Sequence, residues 1–338
     1  MSIFLNILFL VVGMILLIKG ADYFVSGASA VAKKLKIPAM FIGLTIVAIG
    51  TSLPELSVSI TSAIQNSVDL SVSNVIGSNM CNTFLILGIV SIFSKVKLSA
   101  STKKIDFPFL IAITSALALF ACDAFINKTN TNILSRTDSI VLIVLLILYF
   151  CILLSNARKE RKQALENSFE IPTTEEHSSE ETKTSNLKVW QIVLYIVLGL
   201  SAVIFGGECV STTSKFLAIK AGMSENLVGL TIVAVGTSLP ELVTSIVAAK
   251  KGENDIALGN VVGSNIVNIS LILGLVGTIT QINVSEIILT DILILLGLTL
   301  FFGLMCAKKS QIGKKEGIVM FIMYISYIAF AIVRNYCF

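Results

Sequence analysis

The chain has 338 residues, of which 55% are hydrophobic and only 14% are charged, and its mean hydropathy is +0.90. A soluble domain carries about a quarter charged residues, so this composition excludes an ordinary soluble protein and predicts one that crosses a membrane many times. The formal net charge of +4 does not indicate a nucleic-acid partner, because the basic residues are spread over loops that flank apolar segments.

Apolar segments long enough to span a bilayer, which takes about 20 helical residues, recur along the chain. We predict an all-α membrane protein with ten transmembrane helices, at residues 3–21, 37–64, 70–93, 106–124, 139–155, 189–209, 225–249, 256–280, 286–306 and 316–334. If the amino terminus lies outside, most of the 25 Lys and Arg fall in cytoplasmic loops. The positive-inside rule therefore predicts that both termini are outside.

The second predicted helix contains a segment that the chain uses twice. Gly43–Leu56 reads GLTIVAIGTSLPEL, and Gly229–Leu242 in the seventh helix differs from it at one of 14 positions. The same offset of 186 residues carries Asn74–Asn82 in the third helix onto Asn260–Asn268 in the eighth. Two separate blocks kept in one register indicate an internal duplication.

The first block combines a carboxylate with a helix breaker. Glu55 and its copy Glu241 lie in apolar helices, where a charge costs on the order of 2.5–3.5 kcal/mol, so they are functional candidates by default. Pro54 cannot donate to the carbonyl of Gly50, so the helix should break there, and freed carbonyls at membrane depth coordinate cations. A simple proline kink is the alternative, but it does not explain the hydroxyl residues and the glutamate that recur with the proline.

The third predicted helix places polar residues on one face, at spacing i, i+4 and i+8. These residues are Asn74, Ser78 and Asn82, repeated in the eighth helix as Asn260, Ser264 and Asn268. Hydrogen bonding between helices is the alternative interpretation. It suits Asn74 and Asn79 better than the serines and the last asparagine of each copy.

Other charges in or beside the predicted spans are interpreted as solvated boundary charges. They are Asp106, Asp123 and Asp138 at the ends of the fourth and fifth helices, and Asp22 and Glu208, which are also offset by 186 residues. For Asp22 and Glu208 a part in the ion pathway is the alternative interpretation. Residues 156–188 begin basic, become acidic and include the only histidine, His177. We interpret them as a flexible cytoplasmic linker between two five-helix halves, residues 1–155 and 189–338.

Five spans separate equivalent elements, and because five is odd the halves should be inverted in the membrane. Inverted repeats with broken helices, here the second, third, seventh and eighth, place a shared site at the bilayer midplane. The residues expected there are Glu55, Glu241, Thr51, Thr237, Ser52, Ser238, Ser78, Ser264, Asn82 and Asn268, with the carbonyls of Ala48 and Ala234. All are oxygen donors, without thiolate or imidazole, which favours Ca²⁺ or Na⁺ over zinc or copper.

Charge balance predicts that these two ions compete. Two glutamates supply −2, which one Ca²⁺ or two Na⁺ neutralise. With neither ion bound, two bare carboxylates would face the membrane interior. That state is penalised, which favours exchange of ions over leak.

The paired GTSLPEL and GSNxxN blocks resemble the two α-repeats of the cation/Ca²⁺ antiporter superfamily, in its Na⁺/Ca²⁺ exchanger branch, over nearly the whole chain. The resemblance implies a secondary active antiporter that works by alternating access. It is not an enzyme and needs no cofactor beyond the transported Na⁺ and Ca²⁺. The large regulatory domains of animal exchangers are missing, which implies a multi-pass protein of a prokaryotic cell membrane.

The resemblance also implies a division of roles within the site. It makes Glu55 and Glu241 the main Ca²⁺ ligands, helped by Thr51 and Thr237. It assigns Na⁺ to Ser52, Ser78, Ser238, Ser264 and the carbonyls of Ala48 and Ala234, and it places Asn82 and Asn268 in the middle of the site. Potassium-dependent relatives carry Asp at the position of Asn268, so the asparagine here implies exchange without K⁺.

Two other functions remain open from the sequence. A Ca²⁺/H⁺ or other cation/H⁺ antiporter could use the same scaffold, because paired glutamates can carry protons, although the serine-rich shell favours Na⁺. A cation channel would need a continuous pore, and its flux would not require a counter-ion. Besides these ions the expected partner is the lipid bilayer. The oligomeric state cannot be inferred from the sequence.

Overall fold

The computed structural model describes residues 3–65, 67–122, 131–167, 187–222 and 234–337. Most of the predicted linker, including His177, lies outside these residues, as do Asp123 and the start of the second repeated block. The linker and the division into two five-helix halves therefore stay predictions.

The described residues form ten helical elements, which follow the ten predicted spans. Their bounds are α1 Ile3–Leu35, α2 Ala39–Thr51 continued by Leu53–Ile64, α3 Val68–Phe93, α4 Phe107–Phe120, α5 Arg136–Asn167, α6 Val189–Lys220, α7 Ala234–Gly236 continued by Leu239–Lys250, α8 Asn254–Ile279, α9 Glu286–Ala307 and α10 Lys314–Cys337. Seven are long and apolar enough to cross a membrane, and the bent pair in α2 makes an eighth. The described part of α7 is shorter because it adjoins residues that are not described, whereas α4 directly follows a π-helical segment, Thr102–Asp106.

The helices α1 and α6 extend well beyond the predicted ends at residues 21 and 209, to 33 and 32 residues. A charged residue lies near each predicted end, and the helix continues past it. The Asp22 carboxylate lies 2.8 Å from the Lys251 ammonium at the end of α7. Glu208 accepts a hydrogen bond from Thr212 one turn further along, at 3.1 Å. Glu208 is exposed, as the sequence predicted, and Asp22 is half-buried.

Glycines let α1 and α6 pack against each other at backbone distance. A Cβ atom placed on Gly20 would lie 2.8 Å from the Val203 nitrogen, and one on Gly206 would lie 2.6 Å from the Leu17 nitrogen. Small residues allow such close approach in membrane proteins. In their most apolar windows only 22% of α1 and of α6 is buried, against 78% of α3 and of α8. The glycine-packed pair therefore lies at the periphery, and α3 and α8 lie in the centre.

Two small antiparallel sheets join the halves. The strand β1 (Val96–Lys97), after α3, pairs with β4 (Gln311–Ile312), between α9 and α10. The strand β3 (Ile282–Val284), after α8, pairs with β2 (Asn132–Leu134), between α4 and α5. Each sheet therefore takes one strand from each half. The sequence analysis did not predict these strands.

Two aspartates are buried, one against the sequence interpretation and one that was not singled out. Asp106 is not a solvated boundary charge, since it is 1% exposed and accepts a hydrogen bond from the Tyr149 hydroxyl at 3.0 Å. Asp291 in α9, which the sequence analysis did not single out, forms an ion pair with Arg334 of α10 at 2.9 Å. Asp138 is half-buried and accepts a bond from the Ser135 backbone N–H at 2.9 Å, which caps the start of α5.

Candidate ion-binding site

The repeated proline blocks break α2 and α7 at equivalent serines. The two parts of α2 meet at 44° around Ser52, whose φ and ψ are −83° and 6°. In α7 the break falls at Ser238, with φ and ψ of −86° and 6°. In both copies the proline is the second residue of the following helix, where its missing N–H costs nothing. Each break thus brings a serine hydroxyl and a glutamate together at the start of a new helix.

The interruption in α3 and α8 takes the form of a π-helical segment. It covers Cys81–Ile86 in α3 and Asn268–Leu273 in α8. Such segments are rare and often occur at functional sites. They include Asn82 and Asn268, the two asparagines predicted for the middle of the site.

Each glutamate is hydrogen bonded by the serine of the other half. The Ser52 hydroxyl donates to Glu241 Oε1 at 3.1 Å, and the Ser238 hydroxyl donates to Glu55 Oε1 at 3.3 Å. Ser78 of α3 donates to the same Glu55 oxygen at 3.4 Å. Both glutamates are 0% exposed. The duplicated blocks therefore meet in one buried cluster.

Asparagines of the central helices hold the backbone of each glutamate. The Asn260 amide donates to the Glu241 carbonyl at 3.4 Å and to Ser245 Oγ at 2.9 Å. Its oxygen accepts the Thr51 hydroxyl of the other half at 2.9 Å. The first copy repeats this pattern. Asn74 donates to the Glu55 carbonyl at 3.4 Å and to Ser59 Oγ at 3.2 Å, and its oxygen accepts the Thr237 hydroxyl at 3.3 Å. The two threonines thus connect the halves, and the asparagines act as hydrogen-bonding residues.

The other predicted residues lie in or beside this cluster. The Ser264 hydroxyl lies 3.5 Å from the Ala48 carbonyl, which it can donate to. The Asn268 amide donates to Asn79 Oδ1 at 3.1 Å, and both residues are buried. Ala234 begins the short helical turn before the break in α7, and the chain that precedes it is not described.

Four buried oxygen atoms of the cluster have no hydrogen-bond partner among the described residues. They are Glu55 Oε2, Glu241 Oε2, Asn82 Oδ1 and Asn268 Oδ1. Buried polar atoms are normally paired, and a buried carboxylate without compensation is costly. Carboxylate and amide oxygens are ligands of Ca²⁺, so a hard cation is a suitable partner for oxygens of this kind.

The donors fit Ca²⁺ and Na⁺ better than a transition metal. In the described part of the chain, no group of three or more His, Cys, Asp and Glu side chains is close enough to hold a metal. Beyond the two carboxylates, a bound ion would therefore depend on hydroxyl, amide and carbonyl oxygens. These suit Ca²⁺ and Na⁺, whereas zinc and copper favour thiolate or imidazole.

Known proteins that are similar to this chain include exchangers of sodium and calcium. The chain matches the family described as sodium/calcium exchanger protein over residues 5–155 and 191–333. It is 33% identical over 342 residues to the sodium/calcium exchanger MaX1 of Methanosarcina acetivorans, with 96% of this chain and 97% of that protein covered. A protein of Alkalimonas amylolytica that carries the name antiporter CaxA is 36% identical, with 95% and 96% covered.

Solved structures of the sodium-calcium exchanger NCX_Mj have the same fold. One of them, from a crystal soaked with Na⁺ and Ca²⁺, superimposes with a TM-score of 0.78 at 30% identity. It covers 96% of this chain and 98% of its own.

Proposed function

This chain belongs to the sodium/calcium exchanger protein family, and from that premise we propose that it is a secondary active antiporter that exchanges Na⁺ for Ca²⁺ by alternating access. It is a multi-pass membrane protein and not an enzyme. The observation that carries the proposal is the pair of buried glutamates, one from each half, whose Oε2 atoms have no hydrogen-bond partner in the described part of the chain. The ions bind as substrates and no cofactor takes part.

The glutamates make the two ions compete. Glu55 and Glu241 together carry −2, which one Ca²⁺ neutralises at a single position and two Na⁺ neutralise at separate positions. Ser52 and Ser238 already donate to one oxygen of each carboxylate, which leaves the second oxygen for the ion. An ion-free site keeps both charges uncompensated in the membrane interior, so the transporter changes sides readily only when it is loaded.

The contacts between the halves support alternating access. The serine beside each glutamate belongs to the other half, as does the asparagine that accepts each threonine hydroxyl. A movement of the helices that carry these residues therefore alters the surroundings of both carboxylates together. This coupling is what an inverted-repeat transporter requires at its midplane site.

The test is Ca²⁺ uptake into proteoliposomes that are loaded with Na⁺ and diluted into Na⁺-free buffer. We expect Glu55→Gln and Glu241→Gln each to lower the initial rate at least 100-fold, because an intramembrane carboxylate that compensates a divalent ion has no neutral substitute. Glu286→Gln, at an exposed position of α9, is the matched control and should transport normally. Full uptake by either site variant would contradict the proposal.

The same vesicles separate this function from its alternatives. A cation/H⁺ antiporter would take up Ca²⁺ under an imposed pH gradient without internal Na⁺. The glutamates could carry protons, but the hydroxyl donors to both carboxylates favour Na⁺. A channel would pass Ca²⁺ with no counter-ion inside, which the antiporter should not.

The orientation in the membrane is part of the proposal. The basic loops favour both termini outside, with the linker of residues 156–188 in the cytoplasm of a prokaryotic cell. Single cysteines introduced at Ser2 and Ser178 into a variant without native cysteines would test this. A membrane-impermeant thiol reagent added to intact cells should label the first and not the second.

A further inference from the structure

Two buried aspartates occupy equivalent places in the two halves, outside the duplicated blocks. Asp106 directly precedes α4, and Asp291 lies in the second turn of α9. The partner of Asp106 is Tyr149 on α5, and the partner of Asp291 is Arg334 on α10. In each pair the partner comes 43 residues later. An offset of 185 residues, one less than the 186 of the duplicated blocks, carries the first pair onto the second, so the two pairs occupy closely similar places in the two halves.

The two pairs differ in their chemistry. Tyr149 donates one hydrogen bond to Asp106 Oδ1 at 3.0 Å, and both side chains are almost fully buried. Arg334 binds Asp291 through two bonds, Nη1 to Oδ1 and Nη2 to Oδ2, both 2.9 Å. A bidentate pair between full charges is stronger and more directional than a bond from a neutral hydroxyl. The ion pair therefore holds α10 to α9 more firmly than the single hydrogen bond holds α5 to Asp106.

Each pair fixes a helix that packs against a π segment of the ion site. The helix α5 contacts the segment Asn268–Leu273, and α10 contacts the segment Cys81–Ile86. The contact of α10 with α3 is close, since a Cβ atom on Gly317 would lie 2.6 Å from the Gly88 carbonyl oxygen. With so little space between the backbones, a displacement of α10 also displaces α3.

We propose that Asp106–Tyr149 and Asp291–Arg334 are equivalent positioning pairs, which hold α5 and α10 against the π segments and so fix Asn268 and Asn82 at the ion site. The inference rests on the proposed function, because it gives those asparagines a part in holding the cation. The aspartates do not touch the ion. They act through the helices that they join.

The first experiment compares the Asp291–Arg334 pair with a charge-reversed version, in purified protein reconstituted into Na⁺-loaded vesicles for Ca²⁺ uptake. Asp291→Asn should raise the KM for Ca²⁺ roughly tenfold, as loss of outer-shell support does at metal sites, while the maximal rate stays within about twofold. Asp291→Arg combined with Arg334→Asp restores an ion pair and should recover most of the affinity. Arg136→Gln, at the exposed start of α5, is the control and should change neither quantity.

The second experiment measures binding without transport, as the rise in melting temperature that saturating Ca²⁺ produces in detergent. Asp291→Asn and Tyr149→Phe should both need more Ca²⁺ to reach half of that rise, and the shift should be larger for Asp291→Asn. An unchanged half-saturation in folded Asp291→Asn protein would overturn the inference, even if its melting temperature without Ca²⁺ had fallen. Wild-type protein with neither Ca²⁺ uptake nor a Ca²⁺-dependent rise would instead contradict the proposed function.

Discussion

The helix breaks at Ser52 and Ser238 determine which groups the two serine hydroxyls contact. Each serine is the residue at which a helix stops and restarts, with nearly identical torsion angles. At that place its hydroxyl reaches the carboxylate of the opposite repeat. A serine inside a continuous helix could bond its own backbone instead. The break therefore turns a common residue into one that connects the two halves.

Ser238→Ala should weaken Ca²⁺ binding without abolishing transport. The variant removes a hydrogen bond to Glu55, and bonds to charged groups contribute about 1.5–3 kcal/mol, which corresponds to roughly a 10- to 100-fold higher KM for Ca²⁺. Uptake measured over a range of Ca²⁺ concentrations gives this value.

Ser71→Ala is the matched control for this substitution. Its hydroxyl is also buried, but it bonds the Ser59 carbonyl instead of a glutamate. Equal effects of the two substitutions on KM would mean that the loss at Ser238 is one of packing alone.

Asn74 and Asn260 illustrate what sequence reasoning could and could not foresee at single residues. Their recurrence in the duplication marked them, and hydrogen bonding was one of the two interpretations. Nothing in the spacing indicated that each would hold the carbonyl of a glutamate and accept a threonine from the other half. Such contacts depend on how two halves dock, which a one-dimensional pattern does not contain.

At the scale of elements, the tight fit of α1 and α6 leads to a stability prediction. Gly20→Ala would place a methyl group 2.8 Å from both Ala202 Cβ and the Val203 nitrogen, so the helices must separate. Overpacking of this kind costs about 1–3 kcal/mol, and we expect a clearly lower melting temperature in detergent.

Gly297→Ala in α9 is the control for that substitution. Among the described residues, no atom lies within 4 Å of the added Cβ, and alanine is the better helix former by about 1 kcal/mol. Its melting temperature should stay the same or rise. A similar fall in both variants would show that the helix contact is not responsible.

Helix ends were predicted less well where a charge falls inside a helix. The sequence placed the end of α1 at residue 21, before Asp22. The helix instead continues to Leu35, and Asp22 lies within it as the partner of Lys251. Asp106 was misread for a related reason, because its position at the end of an apolar run suggested solvent, whereas Tyr149 lies 43 residues away and could not be identified as its partner.

At the scale of the molecule, the two asparagines lead to a prediction about coupling. Asn82 and Asn268 contribute no charge, so Glu55 and Glu241 provide the site with −2, and a K⁺ ion carried together with Ca²⁺ would leave an excess positive charge in the membrane. We therefore expect the same rate of Na⁺-driven Ca²⁺ uptake with and without K⁺, with choline as the replacement cation. A strict requirement for K⁺ on the Ca²⁺ side would refute this expectation.

The overall architecture followed from the sequence more directly than any local detail. Two repeated blocks per half, in equivalent elements that are five spans apart, were enough to predict inversion and a shared central site. The connections between the halves at the surface were not predicted, because two- and three-residue strands leave little trace in an apolar chain.

Those strands limit how the protein can move. The strand β1, in the loop after α3, pairs with β4 of the second half, and the strand β3, in the loop after α8, pairs with β2 of the first half. If the repeats are inverted, these two strand pairs lie on opposite faces of the bilayer. If the two halves swung apart, the strand pair on the face that opened would have to separate. If the protein works by the proposed alternating access, we expect both strand pairs to stay intact while the helices between them move.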